Sequence, residues 1–182
     1  RESRRRFAIR AAMSTPRSAR ISMSSKSSSA CASSFRFVKI EDMPPTLTGA
    51  QIAVRLVNAT GAGQVPSTAD GYITATASSA LPASPVFANV GPLTASPYVV
   101  RDAAGFSIRA TPDDTPATIY SATAPAGAPA ADGIAATAGA TGPGSALSAY
   151  VFPRSVAGTA APQTAAFQSP AVIFFVDKIP QP

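Results

Sequence analysis

The chain has 182 residues and a formal net charge of +6, from 15 Lys and Arg residues against 9 Asp and Glu residues. This length allows one ordinary domain with an extension. The sequence has no histidine and a single cysteine, Cys31. It therefore offers no Ser-His-Asp triad, no Cys-His pair, no histidine-based zinc site and no disulfide within the chain.

The positive charge is concentrated in residues 1–50, where ten Lys and Arg residues face three acidic residues. Residues 1–34 are rich in Ser, Arg and Ala, and this composition predicts an irregular segment that needs a partner to become ordered. Arginine pairs with carboxylates and phosphates through two parallel hydrogen bonds. We therefore predict a docking arm with the partner-binding residues Arg4, Arg5, Arg6, Arg10, Arg17, Arg20, Lys26, Phe35 and Phe37.

Other interpretations of the arm remain open. It could be a solvated tail, an export signal at Ser3–Ile9, or a segment that binds nucleic acid. Only Phe7 lies among the arginines before Phe35, whereas single-stranded nucleic acids are usually bound with aromatic residues between the basic ones. A protein or anionic lipid surface is therefore the preferred partner.

Residues 35–40 alternate apolar and basic side chains and predict a short strand or docking segment. After residue 50, runs of β-branched and aromatic residues separated by Pro, Gly and Asp predict about eight short strands and no long helix. The predicted strands are Gln51–Asn58, Gly71–Ala77, Pro85–Val90, Tyr98–Arg101, Gly105–Thr111, Ala117–Ala122, Ala146–Phe152 and Ala171–Asp177.

The first and last strands carry the clearest patterns. Ile52, Val54 and Leu56 alternate as in a half-buried strand. In the last strand, Val172, Phe174 and Val176 share one face, and Ile173 and Phe175 share the other. A strand that is apolar on both faces is buried on both sides or has one face against a partner.

Together these elements predict an all-β fold, an immunoglobulin-like β-sandwich over residues 51–182 with a long irregular N-terminal arm over residues 1–50. The stretch Pro125–Gly144 is almost entirely Ala, Gly, Pro and Thr and predicts a long loop. The longest strongly apolar run, Val172–Val176, is far shorter than the roughly 20 residues of a membrane-spanning helix.

No motif in the sequence predicts a catalytic residue, a metal ligand or a cofactor. Asp113 and Asp114 are better explained as a turn than as calcium ligands. Asn58-Ala59-Thr60 fits a glycosylation sequon, a triplet that is common by chance. A hydrolase that uses Asp102, Asp113, Asp114 or Asp132 is the least favoured alternative, because it requires two carboxylates that converge in a cleft.

Four segments are similar to a bacterial extracytoplasmic family known as domain of unknown function 4397. They are Val54–Ala59, Asp70–Ile73, Ala104–Ala110 and Pro153–Gly158, the last followed by Ala161-Pro162. The similarity covers roughly residues 51–179. It implies an immunoglobulin-like sandwich outside the cytoplasm and no known catalysis, so no functional residues are carried over.

The predicted function is that of a non-catalytic, extrinsic structural subunit. The basic arm would dock onto a larger complex, such as a respiratory or photosynthetic membrane complex, on its periplasmic side. The predicted partners are the subunits of that assembly, with contact to anionic lipid as a further option and no small-molecule substrate. The alternative is a secreted or cell-surface adhesion module.

Overall fold

The computed structural model describes residues 38–61, 64, 66–112, 120–128, 131–134, 137–155, 157–158 and 163–179. In these ranges the chain forms one short 3-10 helix, Ala165–Phe167, and nine strands. The strands are β1 (Gln51–Asn58), β2 (Ala69–Thr74), β3 (Phe87–Val90), β4 (Thr94–Ala95), β5 (Val99–Asp102), β6 (Ser107–Pro112), β7 (Tyr120–Thr123), β8 (Ala146–Phe152) and β9 (Ala171–Lys178). No helix in these ranges combines the length and apolar character that crossing a bilayer requires.

The strands form two sheets. In sheet A, β8 pairs in parallel with one edge of β1, β4 and β5 pair antiparallel with its other edge, and β9 pairs antiparallel with β8. Sheet B is antiparallel and has the order β3-β2-β6-β7. The predicted all-β, two-sheet fold is confirmed.

The strand order explains the immunoglobulin-like character. In the letters of that fold, sheet B has the order C′-C-F-G, and β1 and the β4–β5 pair take the positions of strands B and E. The position of strand A, beside β1, is taken by β8, which enters late in the chain and runs parallel to β1. Strand β9 then extends sheet A by one more strand and becomes its edge.

The β4–β5 edge of sheet A is interrupted. Val57 pairs with Ala95 of β4, and Val54 pairs with Val99 of β5. The stretch from Ala95 to Val99 is therefore one residue longer than the stretch of β1 that it faces, and this extra residue forms a β-bulge. Ser96 lies in this bulge, where its N–H donates to the Leu56 carbonyl and its hydroxyl accepts from the Leu56 N–H. β4 and β5 are therefore two halves of one bulged strand.

The core lies between the sheets and contains the alternating apolar residues of both. Sheet A contributes Ile52, Val54 and Leu56 from β1 and Leu147, Ala149 and Val151 from β8, all fully buried. Phe106 and Ile108 face them from the other layer. Each large buried side chain contributes roughly 1.5–3 kcal/mol through removal of apolar surface from water, so this layer supplies most of the stabilisation.

Several details of the sequence prediction require correction. β1 was predicted to be half-buried, but Ala53, Arg55 and Val57 on its second face are also buried. Around Arg55, this face is covered by residues 41–42 and by side chains of the neighbouring strands. Residues 38–40 form no strand, and residues 38–50 lie in the same compact unit as the sandwich. Strand β4 and its pairing with β1 were not predicted, because a strand of two residues is too short to show an alternating pattern.

The described residues of the predicted loop at Pro125–Gly144 form more backbone pairs than the composition suggests. Isolated β-bridges join Ala128 to Thr137 and Gly139 to Gly142. Gly139 lies against the backbone of Gly127, where a Cβ atom would collide with main-chain atoms. The small residues therefore allow two segments of the loop to approach each other closely.

Candidate functional site

The predicted binding residues of the arm, Arg4, Arg5, Arg6, Arg10, Arg17, Arg20, Lys26, Phe35 and Phe37, lie outside the described residues. The same is true of Asp113 and Asp114. Asp102 lies in β5 and Asp132 lies in a turn with a φ of 51°. Within the described ranges, no three His, Cys, Asp or Glu side chains are grouped so that they could hold a metal ion.

The outer face of sheet A carries a cluster of polar side chains around Arg55. Arg55 lies in the middle of β1, and only 4% of its surface is exposed. Its Cα partner on β8 is Ser148, and the Arg55 Nε donates to the Ser148 hydroxyl over 2.6 Å. Ser148 in turn donates to Oδ2 of Asp177 over 2.5 Å. Three adjacent strands, β1, β8 and β9, are thereby linked through side chains.

A bulge in β9 brings Asp177 to this position. Leu147 pairs with Val176 and Ala146 pairs with Lys178, so Asp177 is the extra residue between the two pairs. Its Oδ1 atom lies 3.9 Å from Nη2 of Arg55, and its side chain is 9% exposed. The bulge thus places a carboxylate beside a buried guanidinium.

The segment that precedes β1 completes the cluster. Arg55 donates from Nη1 to the Glu41 carbonyl over 3.0 Å, and its Nη2 lies 3.2 Å from Oδ1 of Asp42. The Tyr98 hydroxyl lies 2.5 Å from the same Asp42 oxygen and 2.8 Å from Oδ2 of Asp177. The Tyr98 ring packs against the guanidinium, with 4.5 Å from the ring centroid to Cζ.

We call Arg55, Asp42, Asp177, Tyr98 and Ser148 the Arg55 cluster. It holds residues 41–42, which precede β1, against sheet A. Burial raises the pKa of Tyr98 well above its usual value, and the hydrogen bonds to Asp42 and then Asp177 raise it further. The neutral phenol therefore remains a hydrogen-bond donor. Because the charged and polar groups use one another as partners, the arrangement stabilises the fold.

A second feature of the same outer face is apolar. The Tyr150 ring lies 5.0 Å from Phe175 in an edge-to-face contact and 6.0 Å from Phe152 in a stacked contact, measured between centroids. Ile173 is the Cα partner of Tyr150 and lies on the same face. We call Tyr150, Phe152, Ile173 and Phe175 the apolar strip. Its β9 members remain accessible, with Ile173 48% and Phe175 49% exposed.

The opposite face of β9 points into the sandwich, as its alternation predicts. Val172 is buried, and Phe174 packs edge-to-face on Phe106 with 5.8 Å between ring centroids. Val176, the third member of this predicted core face, is 47% exposed, because it lies near the end of an edge strand. The prediction of two apolar faces is correct, but the core includes only Val172 and part of Phe174.

The edges of the sandwich differ in how they are protected against strand pairing. Asn89 in β3 and Leu93 before β4 have φ values of 52° and 56°, and Pro92 and Pro97 flank β4. Positive φ angles, bulges and prolines disrupt the flat hydrogen-bonding edge that another strand requires. β9 is eight residues long and contains no proline, its bulge lies at Asp177 near its end, and among the described residues no strand pairs with its outer edge.

The sequon at Asn58-Ala59-Thr60 has a structural role. Asn58 is fully buried, and its amide donates to the Val90 carbonyl over 3.0 Å. Its side-chain oxygen accepts from the Thr60 N–H and from the Thr60 hydroxyl. A side chain in this position cannot carry a glycan without opening the fold, which agrees with the interpretation of the triplet as a chance match.

The Arg55 cluster was missed by reasoning from sequence. A signal was present, because Arg55 interrupts an apolar strand. Its partners Asp42 and Asp177 are 135 positions apart in the chain, and only the sheet order and the β9 bulge bring them together.

Comparison with known proteins adds no relative to this geometry: no family model, no curated protein and no solved structure matches the chain. The resemblance to domain of unknown function 4397 therefore stays a prediction.

Proposed function

We propose that this chain is a non-catalytic structural subunit that binds a larger assembly, and that strand β9 with the apolar strip is a contact surface for its partner. The supporting observation is an eight-residue edge strand whose outward side chains Ile173 and Phe175 are about half exposed. Proteins usually shorten, bend or charge such an edge, because it invites pairing with another chain. In β9 the only charged residues are Asp177 and Lys178 at its end.

The proposed partner is an extended segment of another subunit that adds a strand beside β9. Main-chain hydrogen bonds would satisfy the outer edge of β9, and the strip would receive every second side chain of the added strand. Aromatic side chains are enriched at the centre of protein interfaces, and Tyr150, Phe152 and Phe175 already contact one another. The strip is therefore arranged in advance to receive an apolar side chain.

The basic arm is a second, separate part of the proposal. We propose that its arginines bind carboxylates or anionic lipid on the periplasmic side of a membrane complex, so that the arm and the strip hold two different regions of the partner. The alternative, a secreted or cell-surface adhesion module, would use the strip without the arm.

A site-specific cross-linking experiment tests the strip. A photoreactive analogue, Phe175→benzoylphenylalanine, is introduced in the full chain in its source cells, and Ala77→benzoylphenylalanine serves as the control, because Ala77 is exposed in the β2–β3 connection. We expect one defined partner segment to be cross-linked from position 175 and not from position 77. Equal cross-linking from both positions would contradict a specific strip.

Two variants then separate the strip from the arm. The pair Ile173→Lys with Phe175→Lys should abolish cross-linking from the neighbouring position Phe152→benzoylphenylalanine while the far-ultraviolet circular dichroism stays unchanged. Deletion of residues 1–34 should release the partner at low ionic strength if the arm anchors the subunit, and high salt should partly mimic that deletion. If neither the two Lys substitutions nor the deletion of residues 1–34 reduces the amount of bound partner, the proposal is overturned.

A further inference from the structure

The side of the sandwich opposite β9 has an open depression between the two sheets. Ile73 of β2 and Val86 before β3 form one wall, and residues 99–102 of β5 form the other, with Gln51 and Ala104 at the margins. Its volume is about 720 Å³, within the range of sites that bind small organic molecules. Val86 and Val100 are exposed at its rim, so the depression offers aliphatic surface to a ligand.

Arg101 is the charged residue in this wall that faces the core. It pairs with Ile52, and its Cζ atom lies 4.7 Å from the centroid of the buried Phe106 ring. Its Nη1 atom is buried without a hydrogen-bond partner, and no carboxylate among the described residues forms an ion pair with it. For this nitrogen, the contact of the guanidinium with the Phe106 ring offsets only part of the lost solvation.

The contrast with Arg55 shows what Arg101 lacks. Arg55 is surrounded by a hydroxyl, a carbonyl and two carboxylates. Near Arg101 the acidic residue is the adjacent Asp102, an exposed residue whose charge only partly opposes the lowering of the Arg101 pKa by burial. Arg101 thus lines the depression without a carboxylate partner among the described residues, and the walls around it are mostly aliphatic, so an anion with an apolar tail complements this surface.

We propose that this depression binds the carboxylate of a fatty acid, with Arg101 pairing with the carboxylate and Ile73, Val86 and Val99 contacting the acyl chain. A second depression of about 330 Å³ along β3 and β4 shares Val86 and Val99 with the first, so further apolar surface for the chain lies next to the site. A peptide strand fits less well, since Pro97 and the positive φ angle of Asn89 break the flanking edges. The site is independent of the partner surface proposed on β9.

The test is titration of the full chain with sodium decanoate, followed by residue-resolved NMR chemical shifts in about 0.15 M salt, where the charge of the arm is screened beyond about 8 Å. Decanol, which has the same chain without the charge, and acetate, which has the charge without the chain, are the matched ligands. We expect saturable decanoate shifts centred on Val86, Val99 and Arg101. Equal affinity for decanol or for acetate, or shifts centred elsewhere, would overturn the proposal.

Variants assign the carboxylate contact. Arg101→Met should weaken decanoate binding about tenfold or more, and Arg101→Lys should weaken it less, because the charge is kept but the planar fork is lost. Val100→Glu places a repelling charge at the exposed rim without altering the core, and it should also weaken decanoate binding but not decanol binding. Arg154→Met, which removes an exposed charge outside the depression, is the control. An equal loss for Arg154→Met and Arg101→Met would show nonspecific attraction and refute the site.

Discussion

The outer face of sheet A has two halves. In one half charged side chains are buried, and in the other large apolar side chains are exposed, which is the reverse of the usual distribution. Around β1, a guanidinium and the carboxylate of Asp177 are almost fully buried. Around β9, the large apolar side chains Ile173 and Phe175 are about half exposed. Charged residues are normally the exposed ones, and an exposed group of aromatic and aliphatic residues usually marks a binding surface.

Among the described residues, the chain supplies partners for the buried charges but no cover for the exposed apolar side chains. Arg55 receives acceptors from the segment before β1, from β8 and from β9. The apolar strip has neighbours within its own face, as between Tyr150 and Phe175, but nothing among the described residues buries Ile173 and Phe175 further. The first half therefore belongs to the fold, whereas the second is the surface that we propose for a partner.

The largest expected effect comes from removing the centre of the buried half. Arg55→Met would leave the Asp177 carboxylate without its buried cation, and the Ser148 hydroxyl and the Glu41 carbonyl without the Arg55 donor. Breaking a buried ion pair from one side typically costs about 3–5 kcal/mol, and because the Asp42 side chain is 41% exposed we expect about 3 kcal/mol. The free energy of unfolding, measured by urea denaturation, checks this value.

Arg154→Met is the control for Arg55→Met, since Arg154 is exposed and its replacement should change stability by less than about 0.5 kcal/mol. A loss below about 1 kcal/mol for Arg55→Met would mean that solvent reaches the Arg55 cluster, and the contrast between the two halves would disappear.

Phe174 and Phe175 of β9 provide the next test, because Phe174 faces the core and Phe175 faces outward in the apolar strip. Phe174→Ala removes a partly buried ring that contacts Phe106, and we expect a loss of about 2–3 kcal/mol, somewhat below that of a fully buried phenylalanine. Phe175→Ala removes a half-exposed ring and should cost about 1 kcal/mol or less in the isolated chain.

Urea denaturation of both variants measures this difference. Equal losses for Phe174→Ala and Phe175→Ala would show that the strip contributes to stability as much as the core face does. The strip would then be better explained as part of the fold than as a partner surface.

The sequence predicted the parts of the fold that depend on local pattern. Gln51–Asn58 and Ala146–Phe152 have the predicted boundaries, because both are apolar runs that end at polar residues or at Pro153. Val172 and Phe174 were assigned to the correct face by simple alternation. These features depend on neighbouring residues and are visible without knowledge of the third dimension.

Features that depend on strand order were not predictable. Parallel pairing of β8 with β1 makes β1 central and buries Arg55, although an arginine in an alternating strand suggests a solvent-facing position. The β9 bulge that places Asp177 beside Arg55 has no sequence signature. The orphaned Nη1 atom of Arg101 also depends on packing, because the register sets which face of β5 points inward.

The smallest effect concerns the pH dependence of the Arg55 cluster. Because the pKa of Tyr98 is raised by burial and by its hydrogen bonds to Asp42 and Asp177, the folded chain holds the phenol proton at a pH where the unfolded chain has released it. The stabilisation is fully present below the ordinary tyrosine pKa of about 10 and is lost as pH rises from there toward the raised value. Stability should therefore fall above about pH 10.

Tyr98→Phe isolates this contribution, since it keeps the ring against Arg55 and removes only the hydroxyl. At neutral pH the variant should be less stable by about 1 kcal/mol, the usual value of a lost hydrogen bond, and the difference from the wild type should shrink above about pH 10. Urea denaturation at a series of pH values measures both curves, and all other titrating groups are shared between the two proteins. A difference that stays constant through the alkaline range would show that the phenol does not hold its proton in the folded state, and the Arg55 cluster would then be looser than its geometry indicates.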